Sequence, residues 1–252
     1  MVDSSQVRKI VELAEVQEGD NVLEIGPGLG SLTLGLLDSG AKVTAVELDK
    51  RLGELLPQTV KTLAPEVAAN LTVFVEDALK FVEPLSGTYK LVANLPYNVG
   101  VPILLTLLER YPQISSGLIL VQSEVAERLV AEPGSKTYGI PSLKLAWFAK
   151  SYIPTTVPRS AFFPVPRVDS KLVQFSRHTT TPDWQTGVDR SEVFSLINLG
   201  LSQRRKTLKS LLVADGKTPN EVYEALDSLQ IDPLARAETL SIRDFAELTK
   251  IV

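Results

Sequence analysis

The sequence predicts an α/β protein: a mostly parallel sheet covered by helices on both faces, followed by a small all-α domain. Three observations carry this. Short apolar segments alternate with helix-spaced segments through the first half of the 252 residues. A glycine-rich turn follows the first apolar segment, where open α/β sheets keep their ligands. After about residue 180 the strand-like segments stop and only helical spacing remains. The expected division is therefore residues 1–178 and 179–252.

The elements follow in order. SSQVRKIVELAEV has helical spacing, with Ser4 or Ser5 placed to cap it. NVLEIG is a short apolar strand. SLTLGLLDSG is a helix closing on Gly40. KVTAVELD is the second strand, before a helix over about 49–62. LTVFVEDAL is a strand and turn, and KLVANL is the fourth strand. VPILLTLLERY is a helix that tolerates Pro102 in its first turn. SGLILVQ is the fifth strand, and SEVAERLVA a helix. LKLAWFAKSY and KLVQFS are expected to be antiparallel strands joined by the proline-rich PTTVPRSAFFPVPR. TTTPDW reads as a linker. SEVFSLINLGLSQRRKTLKSLL, NEVYEALDSL and IRDFAELTKIV are helical by spacing.

Composition excludes several kinds of chemistry. Cysteine is absent, which removes disulfides, thiolate catalysis and Cys-ligated metals. A His-rich zinc site or a Ser-His-Asp hydrolase would each rest on the one histidine, His178, so neither is expected, nor is a metal. No apolar run reaches the roughly 18 residues of a membrane span, and the first residues lack signal-peptide character. A cytoplasmic protein without a membrane partner is expected. The net charge of −4 disfavours nucleic-acid binding, but its distribution does not. Between Lys144 and His178, six basic residues face one acidic residue, and from Gln203 to Lys217 five face one. Such segments are usually solvated surface; they become phosphate grips only beside a site that handles nucleic acid.

The turn after the first strand reads Glu24-Ile25-Gly26-Pro27-Gly28-Leu29-Gly30. Its E-x-G-x-G-x-G pattern fits neither the dinucleotide G-x-G-x-x-G nor a P-loop. Glu47, at the end of the second strand, follows Gly26 by 21 residues, the spacing at which a carboxylate receives ribose hydroxyls. Asp77 ends the third strand, where it could bind the exocyclic amine of an adenine. Any one of these carboxylates alone is ordinary surface. Glu24, Glu47 and Asp77 at successive strand ends, with the glycine turn, favour a nucleoside without phosphates, and S-adenosylmethionine is such a molecule.

The fourth strand runs into Asn94-Leu95-Pro96-Tyr97 at the same edge. The amide oxygen of Asn94 and the carbonyl of Leu95, aimed by the rigid Pro96, can accept both hydrogens of an exocyclic amine. Tyr97 can stack on the base. Two acceptors on a planar amine localise its lone pair for attack on a methyl sulfonium. No strong base is required, because the nitrogen becomes acidic as it acquires charge.

EIGPGLG, VELD, VEDAL and ANLPYN, with NLPYNVGVPILL, VQSEVAERLVAEPGSKTYG, SAFFPVPRVDSKLV and LSQRRKTLKSLL, resemble the KsgA-type ribosomal RNA adenine dimethyltransferases over nearly the whole chain. The resemblance implies a Rossmann-like class I methyltransferase sheet and S-adenosylmethionine as cofactor. It implies two methyl groups on N6 of each of two adjacent adenines near the 3′ end of 16S rRNA in the small ribosomal subunit. Cofactor residues carry over to Gly26, Gly28, Glu47, Asp77 and Asn94. Base-handling residues carry over to Asn94, Leu95, Tyr97 and Phe162, the last opening F-x-P-x-P-x-V-x-S. Of the neighbouring rings Phe162 and Phe163, one is expected in the core and the other free, with Phe162 as the stacker. Arg204, Arg205 and Lys206, on a C-terminal helix, are expected to grip RNA phosphates.

The sequence departs from the family pattern in three places. The family's G-Q-N-F-L, whose Gln, Asn and Phe help close the pocket, precedes the segment that begins here. Its Y-G-R-L-S is Tyr138-Gly139-Ile140-Pro141-Ser142, without the arginine. Ser123 stands for a common lysine. Two competing readings remain: a resistance-type methyltransferase of large-subunit RNA, and a non-catalytic assembly or transcription factor on the same fold. NLPY and the F-x-P-x-P segment favour the small-subunit enzyme.

Overall fold

The computed structural model describes residues 3–251. Asp3, one residue ahead of the expected caps, starts α1 (Ser4–Leu13): its carboxylate accepts from the amides of Ser5 at 2.8 Å and Gln6 at 3.4 Å. Then follow β1 (Asn21–Ile25), α2 (Ser31–Asp38), β2 (Lys42–Glu47), α3 (Lys50–Leu63), β3 (Leu71–Val75), β4 (Tyr89–Asn94), α4 (Gly100–Arg110), β5 (Ile114–Gln122) and α5 (Ser123–Leu129). The central strands are apolar on both faces, as parallel strands covered by helices must be; Val22, Leu23, Leu91 and Val92 are fully buried. Asp49 caps α3 by accepting from Arg51 and Leu52. Leu56 and Val60, one turn apart on that helix, are buried. Burying a side chain of this size contributes roughly 1.5–3 kcal/mol.

The segment LKLAWF is not a strand. It lies in the helix α6 (Ile140–Phe148), and only β6 (Ala149–Tyr152) is extended. A short apolar run looks alike in a buried strand and a buried helix. Pro141, in the first turn of α6, marks a helix start. β7 (Thr156–Val157) and β8 (Ser170–Arg177) complete the sheet, ordered β3-β2-β1-β4-β5-β8-β6 with β7 against β8. β1 to β5 pair in parallel and β8 is antiparallel to β5. Helices α7 (Arg190–Ser202), α8 (Leu208–Ala214), α9 (Pro219–Ser228) and α10 (Ile242–Ile251) end the chain.

The chain forms two compact units. The first comprises residues up to Glu127 with Lys150–Arg177; the second comprises Arg128–Ala149 with the residues from His178 on. The expected boundary at 178/179 thus leaves out the segment with α6, which groups with the later helices. Trp147 of α6 meets Trp184 and Phe194 edge-on, at 5.4 and 5.9 Å between ring centroids. The single histidine is structural: the His178 ring nitrogen bonds the Ala146 carbonyl at 3.1 Å. Among the described residues no helix is long and apolar enough to cross a membrane.

Candidate active site

The strand order sets the site. From β1 the chain proceeds outward to β2 and β3; from β4 it proceeds the other way, to β5. A crevice opens at the carboxyl ends where that direction reverses. A cavity of about 700 Å³ lies there, lined by Gly26, Glu47, Asp77, Asn94, Leu95 and Tyr97 among others. Four successive strand ends therefore converge on one space.

Each lining residue is held by its element. Gly26 has φ +67°, and its amide donates to the Val46 carbonyl at 2.9 Å. A Cβ on it would come to 3.9 Å from the Asn94 carbonyl oxygen, so the glycine turn lies against the end of β4. Gly28, also at positive φ, does not line the cavity; its amide donates to Glu47 Oε2 at 3.0 Å. Glu47 Oε1 accepts from the Asp49 amide at 2.9 Å. The Glu47 carboxylate is thus oriented by two backbone donors in the cavity wall. Asp77 accepts from the Leu79 amide at 3.0 Å.

The Asn94 side chain is half-buried and makes no hydrogen bond to the described residues. The Leu95 side chain is anchored in the core, 1% exposed, and its amide donates to the Leu120 carbonyl at 3.1 Å. That fixes the peptide between Asn94 and Leu95, immediately before the one that carries the Leu95 carbonyl. The Pro96 carbonyl accepts from Gly100 at 2.8 Å and so begins α4. Tyr97 Oη and Ser170 Oγ are 3.0 Å apart, tying the NLPY turn to the start of β8.

Glu24 differs from its expected partners. It is 1% exposed and does not line the cavity, and its Oε2 has no partner among the described residues. Burial raises its pKa to about 8, the Thr33 hydroxyl opposing this and the neighbouring Glu47 adding to it. Burial thus favours its protonated form at neutral pH, where the sequence placed Glu24 with Glu47 and Asp77 as a carboxylate of the nucleoside edge.

Phe162 is also placed differently. It is 8% exposed and packs in the apolar cluster with Val157, Ala161 and Leu172, while Phe163 is 81% exposed. The backbone at Phe162 is extended, so adjacent rings point opposite ways, and the inward one is Phe162. One ring in the core and one free was expected; the assignment is reversed. Arg204, Arg205 and Lys206 belong to the second unit and are not helical. α7 ends at Ser202 and Thr207 caps α8, which leaves the three in the turn between. Arg204 is engaged within its own unit, with Glu238 at 2.9 Å and the Tyr138 carbonyl at 2.8 Å. Arg205 and Lys206 are exposed.

The apolar wall was not foreseen. Leu48, 72% exposed beside Glu47, and Val99 and Ile103 at the start of α4 line the cavity. Such surfaces suit the faces of a purine. Leu48 was detectable as an apolar residue between Glu47 and Asp49 at a strand end. Among the described residues no cluster of His, Cys, Asp and Glu could hold a metal ion.

The chain is similar to known proteins over nearly its whole length. A protein of Leifsonia xyli named ribosomal RNA small subunit methyltransferase A is 50% identical over 250 residues, covering 98% of this chain and 88% of that one. A protein of the same name from Thermobifida fusca is 46% identical over 251 residues, 99% of this chain and 86% of the relative. The crystal structure of a dimethyladenosine transferase from Plasmodium falciparum superposes with a TM-score of 0.82 at 26% identity, covering 98% of this chain and 95% of that one. The structure of the 23S rRNA methyltransferase ErmE shares the fold, with a TM-score of 0.73 at 24% identity and coverage of 98% and 96%. The fold is that of class I methyltransferases, which implies S-adenosylmethionine as the methyl source. The profile of ribosomal RNA adenine dimethylases matches residues 1–252, and the chain belongs to that family.

Proposed function

We propose that the protein dimethylates N6 of two adjacent adenines in 16S rRNA of the small ribosomal subunit, in the cytoplasm, with Asn94, Leu95 and Tyr97 handling the base. The observation that carries this is the convergence of Gly26, Glu47, Asp77 and Asn94 on one cavity with the NLPY turn at its edge. The names of the relatives support the small subunit as substrate.

The residues suit a nucleoside donor. Glu47 would receive the ribose hydroxyls, Asp77 the adenine amine, and the turn at Gly26 would let the rest lie close to backbone. S-adenosylmethionine, when bound, supplies an electrophilic methyl group on a sulfonium. The chain does the remainder. Tyr97 would stack against the unstacked target base; extruding such a base costs a few kcal/mol, and stacking returns about 1–3 kcal/mol. Asn94 Oδ1 and the Leu95 carbonyl would accept the N6 hydrogens and face the positive charge that develops on nitrogen. Stacking by Phe162 would require its ring to turn out of the core.

The test supplies unmethylated small and large subunits with donor labelled on the methyl group, and maps the products by reverse-transcription stops. Label in small-subunit RNA, with stops at two adjacent adenines, is the expected result. Stops only in large-subunit RNA would identify the resistance-type activity. Binding without transfer would identify an assembly factor.

Phosphate binding by the turn before α8 has its own readout. The double variant Arg205→Ala/Lys206→Ala is expected to flatten the plot of log binding constant against log salt by about 0.7–0.9 for each phosphate no longer neutralised. Arg204→Ala, which breaks hydrogen bonds within its unit, is expected to lower the melting temperature and leave that slope unchanged.

A further inference from the structure

We propose that Phe163 is a second base-stacking residue, which holds an unpaired nucleotide beside the target adenosine. The inference rests on the proposed RNA-methylating function.

The loop over residues 158–169 joins β7 to β8, and its ends are paired, Thr156 with Lys171 and Val157 with Ser170. Ser170 lies opposite Gln122, at the carboxyl end of β5. Asn94, at the carboxyl end of β4, lies opposite Leu120 of the same strand. The loop thus leaves the sheet at the edge that carries the NLPY turn, and the Tyr97–Ser170 contact joins the two directly.

The loop is held in shape. Arg159 bridges Asp169 at 3.1 Å across its neck, and Phe162 is sunk in the core. Pro158, Pro164 and Pro166 restrict its backbone. On this frame Phe163 stands 81% exposed, with Val165 at 63%. A large ring so far in solvent has no packing role, and a loop held in advance loses little backbone freedom on binding. Exposed Arg167, four residues on, suits a phosphate beside a stacked base. A base has an unsatisfied π face once its neighbour is extruded, and an aromatic ring at the site edge would cover it.

The test compares wild type, Phe163→Ala and Phe163→Trp on unmethylated small subunits. A second measurement follows their binding to an RNA strand with 2-aminopurine next to the target adenosine. Phe163→Ala is expected to raise the KM for subunits about 5- to 150-fold, the range of one stacked base, with kcat within about twofold and the melting temperature unchanged. It should abolish the 2-aminopurine quenching seen with wild type, and Phe163→Trp should restore it. Wild-type KM and quenching in Phe163→Ala would overturn the proposal, as would a loss that tracks a lower melting temperature. If wild type quenches the probe but transfers no methyl group, the enzymatic reading fails while the quenching comparison still decides the role of Phe163. Absence of RNA binding by wild type overturns both.

Discussion

Asn94→Ala is expected to lower kcat for methyl transfer by about 10²–10³-fold, the usual cost of removing one preorganised dipole aimed at developing charge. In the ground state the adenine amine is planar and nearly neutral. At the transition state its nitrogen bonds the incoming methyl carbon and becomes positive. The Asn94 oxygen and the Leu95 carbonyl meet that charge most strongly then, so the loss falls mainly on kcat. The melting temperature should hardly move, because the Asn94 side chain is half-buried and bonds none of the described residues. Asn94→Asp keeps an acceptor at the same place and should recover part of the rate. Single-turnover transfer with saturating donor and subunits is the measurement. A loss below tenfold in Asn94→Ala would remove this residue from the reacting site.

Glu24 is expected to make the protein less stable as the pH rises through neutrality. Its carboxyl is buried with one oxygen unpartnered, and its pKa lies at about 8 in the folded protein against 4.5 for an ordinary glutamate. Below pH 4.5 both states hold the proton, and the contribution of the group is fully present. Between 4.5 and about 8 the unfolded chain releases the proton while the folded chain keeps it, so stability falls with pH. The full loss across that window is on the order of 5 kcal/mol. Glu24→Gln removes the titration and should flatten the curve, making the variant more stable than wild type at about pH 8.5. Urea unfolding at several pH values reads this directly. Parallel curves for the two proteins would show that Glu24 ionises freely in the folded state.

Much of the cavity's lining is legible in the sequence. The glycine turn, Glu47, Asp77 and Asn94 fall at strand ends that alternation alone locates, and a parallel sheet gathers such ends at one edge. Legibility failed where two local readings compete. LKLAWF has the apolar density of either a strand or a helix, and Pro141, in the first helical turn, is what marks the helix. The stretch from Ser191 to Leu212 keeps helical spacing throughout, but Thr207 caps a new helix and places Arg204, Arg205 and Lys206 in a turn.

The residues alone determined the α/β class and the family, because these depend on residue type and spacing along the chain. Only the tertiary structure decided that Glu24 is buried with its pKa raised, that Phe162 is core and Phe163 exposed, and that Arg204 is held by Glu238. Those outcomes depend on which atoms surround a group in three dimensions. Charge state, exposure and partner choice follow from the surroundings and are not written in any one segment.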